Sequence, residues 1–377
     1  MKIFFSGDLF LGGELLNKNC TNIIKSDLYK EADIRVVNLE QAVSDSEFVE
    51  NKCTLYTGTQ SLLQLREMKF DIINLAHNHI QDKGIHGIVE TSLNLKKAGF
   101  KTFGAGKNIE DASSSVELAE NLVVLGYCDF GKPYLNQIVV AGENTPGINP
   151  LRYEKICSDL DKLDKGKKAI LYFHWGREHV WLPPAHDIIL VKKLLEDQRV
   201  VSIIGMHCHR VQGVINHNGK KAYMSLGNFL FPNFYIQSPT QIAYPTESER
   251  KDVRYITRQY HRVYELTYKK WRFVNRVSMV LLLDSETHKI KSELIIQDDD
   301  IPAIYKLNKV LNIFFVIWVF LLSQIYKLPM PIYKFIYQLH AKRVYFFWRI
   351  QIRFFHIRQL GLKRILTKVR SKIMGAK

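Results

Sequence analysis

The chain has 377 residues, 46% of them apolar and 24% charged, with a formal net charge of +16. Such a composition excludes a disordered or low-complexity protein and gives room for one large domain plus an appendage. Cysteines 20, 53, 128, 157 and 208 are scattered without a CxxC pair, which excludes a disulfide framework and fits reduced thiols in a cytosolic setting.

The charge is unevenly placed. Residues 301–377 hold 15 Lys and Arg and no Asp or Glu, leaving 38 basic against 37 acidic residues in the first 300. A near-neutral body is therefore expected to carry a separate basic device at its C-terminal end. The opening MKIFFSGD reads as a strand, and without a charged start, long apolar core and cleavage site no signal peptide is expected.

In chain order, short apolar runs recur, each with the length and β-branched or aromatic content of a buried strand. Each ends in a metal-type side chain. KIFFSG leads to Asp8 and IRVVNL to Glu40; DIINLA leads to His77, Asn78 and His79. AILYF ends at His174, and VVSIIGM at His207 with His209 two residues on. Between them, residues 59–70, 87–99 and 187–198 show apolar positions at helical spacing. Alternation of strand and helix to about residue 233 predicts an α/β fold, in which sites form where strand C-terminal ends meet. Mixed oxygen and nitrogen donors of this kind suit one or two divalent ions such as Zn, Mn or Fe.

Residues 238–262 are polar and Arg-rich and read as a long loop or insertion; Arg250, Arg254, Arg258 and Arg262 would share one face if helical. That face is either plainly solvated or a docking strip for an anionic polymer. Strand-like runs return at 277–284 and 293–297, and DDDIP at 298–302 marks a boundary. Beyond it, residues 310–322 are apolar apart from Asn312, and aromatic and basic residues then alternate. A spanning helix needs about 20 apolar residues; the 17 residues of 310–326 are interrupted by Asn312, Ser323 and Gln324. An interfacial, membrane-associated tail over 303–377 is therefore expected, holding the main domain on the cytoplasmic side. A spanning tail and a protein or nucleic-acid partner are the lesser alternatives.

Two motifs are specific enough to name a family: HWGRE at 174–178 and GMHCHRVQG…AYMSLGNFLF at 205–231. With GD at 7–8, NLE at 38–40 and NHIQDKG at 78–84, residues 1–297 resemble the CapA, or poly-γ-glutamate capsule synthesis, family, a branch of the calcineurin-like metallophosphoesterases. The resemblance implies a layered α/β/β/α sandwich over residues 1–300. It implies a carboxylate, Glu40, bridging two metals. Asn78, His174 and His207 would complete one metal site, and Asp8 and His209 the other. His79 would stand near the reacting oxygen, with Asn78 beside it in the catalytic pair. Metallophosphoesterases usually carry Asp-x-His in the first motif; here Phe10 takes the place of that histidine.

Other residues carry blander expectations. His77 and Cys208 fill space rather than ligate. Ser225, Gly227 and Asn228 form a turn beside the site. Glu178 orients an imidazole from behind. Asp82 and Gly84 shape a helix entrance. The function implied is metal-dependent hydrolysis of a phosphoester, or of the polymer itself, in capsule or envelope synthesis, with capsule-synthesis proteins as partners. The alternatives are a non-catalytic accessory subunit of a polymer synthase or ligase, and a metal-dependent nuclease.

Overall fold

The computed structural model describes residues 1–129, 138–256 and 263–361. Its first sheet runs in the order Ile304–Lys306, Ile290–Gln297, Val277–Asp284, Lys2–Leu9, Ile34–Leu39, Ile72–Asn74, Lys101–Phe103, with Asn228–Leu230 also pairing on Lys2–Leu9. The second runs Val214–His217, Lys220–Tyr223, Val200–Met206, Lys168–His174, Leu122–Cys128, Val116–Ala119.

Side-chain alternation along the strands explains why the two sheets stack. In the first strand Ile3 and Phe5 face the second sheet, where they meet Ile170, Tyr172 and Ile204. Phe4 and Leu9 face the opposite way, onto Leu65, Ile88 and Leu95 of the helices Leu62–Glu67 and Gly84–Lys97. The outer face of the second sheet, with Leu171, Phe173 and Ile203, is covered by the helices Tyr153–Asp161 and Ala185–Glu196 through Ile156, Ile188 and Leu195. Helix, sheet, sheet, helix: this is the metallophosphoesterase-like α/β/β/α sandwich that the motifs implied.

Three expectations meet a different outcome. Residues 238–262 are an insertion rather than a plain loop: among the described residues, Gln241–Ala243 and Arg254–Ile256 join a four-stranded sheet with Phe234–Gln237 and Thr267–Lys269. Arg250 lies in a 3-10 turn and Arg254 in a strand, so no helical face stacks them; Arg258 and Arg262 lie outside the described residues. The acidic stretch 298–302 does not close the sheet, because Ile304–Lys306 adds one more strand after it.

The tail forms two helices, Lys309–Ile325 and Met330–Leu360, and both pack on the domain. Phe315, Val319, Leu322, Tyr326 and Tyr333 lie four, three, four and seven residues apart, a spacing that puts them along one side of the helices. All five are buried among the sheet residues. Polar groups fix the contact. Ser323 Oγ accepts the Val214 amide at 2.8 Å, and Tyr326 Oη accepts the Gly213 amide at 3.0 Å. The serine that interrupts the apolar run thus satisfies an edge-strand donor. The opposite side exposes Val310, Ile313, Phe314, Ile317, Phe320 and Leu321. Among the described residues no helix is long and apolar enough to cross a membrane.

Tyr326→Ala removes a buried aromatic side chain and orphans an amide, and it is expected to destabilise the whole domain by about 3–5 kcal/mol. Phe320→Ala on the exposed side is expected to stay within about 0.5 kcal/mol. Urea unfolding of the full chain measures both.

Candidate metal centre

Five parallel strands end at one mouth between the sheets. Register places Asp8 beside Asn38, and Asn38 beside Asn74, on three neighbouring strands of the first sheet. In the second sheet, His174 stands level with Met206, so that His207 begins as its own strand ends. The sheets are tied just below this mouth, where the Tyr172 hydroxyl donates to the Ser6 carbonyl.

Close backbone approach makes the mouth possible. A Cβ on Gly7 would stand 1.9 Å from the Gly227 carbonyl oxygen, so only glycine fits there. Gly227 itself has φ +79° and its carbonyl accepts the Asp8 amide at 3.1 Å. His207 and His209 also adopt left-handed backbone, with φ 81° and 55°. This is an unfavourable conformation for side-chain-bearing residues, and it is of the kind held at functional sites.

Two overlapping triads result. Donor atoms of Glu40, His174 and His207 lie within 4.8 Å of one another, as do those of Asp8, Glu40 and His209. His174 Nε2 stands 2.9 Å from His207 Nδ1, 2.8 Å from Asn78 Oδ1 and 3.6 Å from Glu40 Oε1. On the other side, His209 Nδ1 is 3.4 Å from Asp8 Oδ2 and its Nε2 is 3.7 Å from Glu40 Oε1. Glu40 is the residue common to both. The six residues Asp8, Glu40, Asn78, His174, His207 and His209 are therefore brought together.

The electrostatics suit a cation. Both Glu40 carboxylate oxygens and His207 Nε2 are buried with no hydrogen-bond partner among the described residues. A buried carboxylate left this way is costly unless a positive charge meets it. Burial and then Asp8 push the Glu40 carboxyl well above its ordinary range. Burial, followed by His207, holds His174 well below the ordinary imidazole value, and burial followed by His209 does the same to His207. Neutral imidazoles keep a lone pair for ligation. Burial would lower His209 as well, but Glu40 and Asp8 outweigh it and hold its pKa at about 10. These donors fit one or two divalent ions, with nitrogen and oxygen ligands shared across Glu40.

The surrounding residues sort clearly. His79 Nδ1 lies 2.6 Å from a carboxylate oxygen of buried Asp82, whose other oxygen pairs with Lys52 at 2.6 Å. Asp82 thus orients an imidazole, beyond the helix entrance expected of it. His77 is buried edge-on to His174, with ring centroids 6.0 Å apart, and belongs to neither triad. Cys208 donates its thiol to the Val180 carbonyl, burial pushes its pKa to about 12, and it belongs to neither triad. Ser225 Oγ accepts the Gly227 amide at 3.3 Å within the turn, whereas Asn228 Oδ1 reaches His209 Nδ1 at 2.7 Å. Glu178 lies 3.7 Å from His179, whose ring stands 5.5 Å from that of His209. Phe10, at the motif position where the resemblance implies a histidine, packs with Phe231 and Phe234 in an aromatic cluster.

Sequence reasoning missed the amides behind the site. Asn74 donates to Asn38 at 2.7 Å, and Asn38 in turn donates to Asp8 at 2.8 Å and faces His174 Nδ1 at 3.2 Å. Asn38 and Asn74 stand level with Asp8 through strand register, which local periodicity does not reveal. His179 and Asn275 were missed too. Asn275 Nδ2 donates to the His209 carbonyl at 2.8 Å and faces His179 Nδ1 at 3.1 Å.

A sandwich with overlapping Asp, Glu and His triads at its strand ends defines a protein of the metallophosphoesterase-like class. Within that class, the chain belongs to the family described as bacterial capsule synthesis protein PGA_cap, whose model matches residues 2–233. It is 26% identical over 242 residues to the PGA biosynthesis protein CapA of Bacillus subtilis, covering 60% of this chain and 62% of that protein. It is 25% identical over 241 residues to the capsule biosynthesis protein CapA of Bacillus anthracis, covering 60% and 58%. A probable polyglutamine synthesis accessory protein of Mycobacterium tuberculosis is 24% identical over 209 residues, covering 52% and 55%. The matched stretch thus spans a little over half the length of these relatives.

His207→Ala and Glu40→Gln are expected to lose most of the metal bound by the purified chain, while His79→Ala and Asp82→Asn keep it. Elemental analysis after gel filtration in metal-containing buffer measures this. Equal loss in all four variants contradicts the division between ligands and the His79–Asp82 pair.

Proposed function

We propose that the chain is a metal-dependent hydrolase of capsule or envelope polymer biosynthesis, acting on a phosphoester or on the polymer, and that its tail rests on the membrane surface. The observation that carries the first part is Glu40: one fully buried carboxylate shared by two triads, its oxygens satisfied by nothing else among the described residues. The family and the named functions of its relatives support the capsule setting.

The residues divide the work. Asp8, Glu40, Asn78, His174, His207 and His209 hold the ions. When bound, divalent ions there supply Lewis acidity and a nucleophilic hydroxide at neutral pH. Asn38 and Asn74 keep Asp8 and the His174 ring in place. With its Nδ1–H held by Asp82 at 2.6 Å, the doubly protonated His79 ring is the form that acts: its Nε2–H passes the proton to a leaving oxygen and the ring returns to the neutral Nδ1–H form.

One observation favours the accessory reading: Phe10, packed among aromatic neighbours, stands at the motif position where the resemblance implies a histidine. A screen of aryl phosphate mono- and diesters and of poly-γ-glutamate with Mn, Zn or Fe separates the two. The hydrolase gives turnover that falls by about 10²–10⁴-fold in His79→Ala with metal retained. A chain that keeps its metal and turns over neither these esters nor poly-γ-glutamate supports the accessory subunit.

For the tail, support comes from the apolar face of Phe314, Ile317 and Phe320, continued by Phe335, Leu339 and Phe346 on the second helix. Basic residues flank this face and residues 301–377 contain no acid. An in-plane amphipathic helix on anionic lipid has this composition. The full chain is expected to co-sediment with phosphatidylglycerol-containing vesicles and to stay bound in high salt. The triple change Phe314→Ser, Ile317→Ser and Phe320→Ser is expected to release it. Sedimentation unaffected by that change contradicts attachment through this face.

A further inference from the structure

Beside the metal centre lies a second cavity of about 310 Å³, formed where the helix Met330–Leu360 crosses the domain. Four cationic side chains line it: Arg210, Lys269, Arg272 and Arg343. Trp181 and Trp348 form apolar walls. None of the described lining residues is a carboxylate.

Three features show a built site rather than a solvated basic face. Lys269 is only 4% exposed, far below what a lysine in solution shows. Arg210 Nε is buried with no hydrogen-bond partner among the described residues, and its guanidinium lies 4.9 Å over the Trp181 ring. The tail is fastened at the rim, for His340 Nε2 accepts the Trp181 amide at 3.2 Å and Gln351 Oε1 faces Arg272 Nη2 at 3.5 Å. Burial and then Arg272 lower Lys269 to about 7 against the opposing effect of Glu178.

We infer that this cavity binds a phosphate group, either free or as a lipid headgroup, next to the metal centre. Guanidinium groups present paired N–H donors to tetrahedral oxyanions, and several cations around so small a space suit a dianion. The volume admits one such group and not a length of polymer. Indole walls suit an apolar or aromatic attachment to it. Two of the cavity's lining residues adjoin the candidate centre: Asn275 donates to the His209 carbonyl at 2.8 Å, and the His179 ring lies 5.5 Å from that of His209. Arg343 and Trp348 come from the tail, so the tail completes this site as well as covering the sheet. Its role in turnover rests on the hydrolase proposal; phosphate binding does not.

The test is calorimetric titration of the full chain, stripped of metal by chelator, with orthophosphate and with dihexanoyl phosphatidic acid. Binding is expected in wild type and in Glu40→Gln, which removes the shared carboxylate but not this cavity. It is expected to weaken at least about tenfold in Arg272→Gln and in Arg343→Gln, and to persist in Arg343→Lys. Melting temperatures within a few degrees of wild type show that these variants fold. Similar affinity for both ligands assigns free phosphate; tighter binding of the lipid assigns a headgroup. Binding unchanged in both arginine variants, lost in Glu40→Gln, or absent from the wild type overturns the proposal.

Discussion

The architecture depends on one buried carboxylate. Glu40 sits at the mouth between two sheets, near Asp8, with neither oxygen hydrogen-bonded by a described residue. An ionised carboxylate in so dry a place is stable only beside positive charge. Burial and then Asp8 raise the Glu40 carboxyl, while Glu40 and Asp8 hold His209 up against its own burial. The neutral His174 and His207 offer lone pairs to something other than a proton. The surrounding features serve that arrangement: parallel strands ending level, glycines that let backbones touch, left-handed histidines that aim rings inward, and an amide chain that fixes Asp8.

Much of this was legible in the sequence because strands declare themselves by length and β-branched content, and the fold then places the residues just past each strand end. VSMVLLLD maps onto Val277–Asp284, and the metal-type residues after five runs meet at one mouth. The Asn74–Asn38–Asp8 chain was not legible. It depends on which strands are neighbours and in what register, and neither is written in local periodicity. Asp82 was underread for a similar reason. A position three residues after His79 suggested a cap, while its role comes from a fold that buries it against His79 and Lys52.

The tail shows where composition misdirects. Fifteen basic residues without an acid suggest a device that stands apart, and a run apolar on every side hides its inner stripe. Phe315, Val319, Leu322, Tyr326 and Tyr333 dock that stripe on the sheet, while the other side is left to solvent or lipid. The second tail helix also reaches the small sheet, where Gln359 meets Thr267 at 2.9 Å, and its Arg343 and Trp348 line the cavity beside the candidate centre. A segment outside the family match therefore shapes the surroundings of the family's site.

The central claim is that Glu40 is shared between two cation positions. Anomalous diffraction from crystals of the full chain grown with Mn tests it most directly. The account predicts a peak between Glu40, His174 and His207, with any second peak between Glu40, Asp8 and His209. Manganese bound only at sites remote from Glu40, with these side chains still hydrogen-bonded to one another, would contradict it.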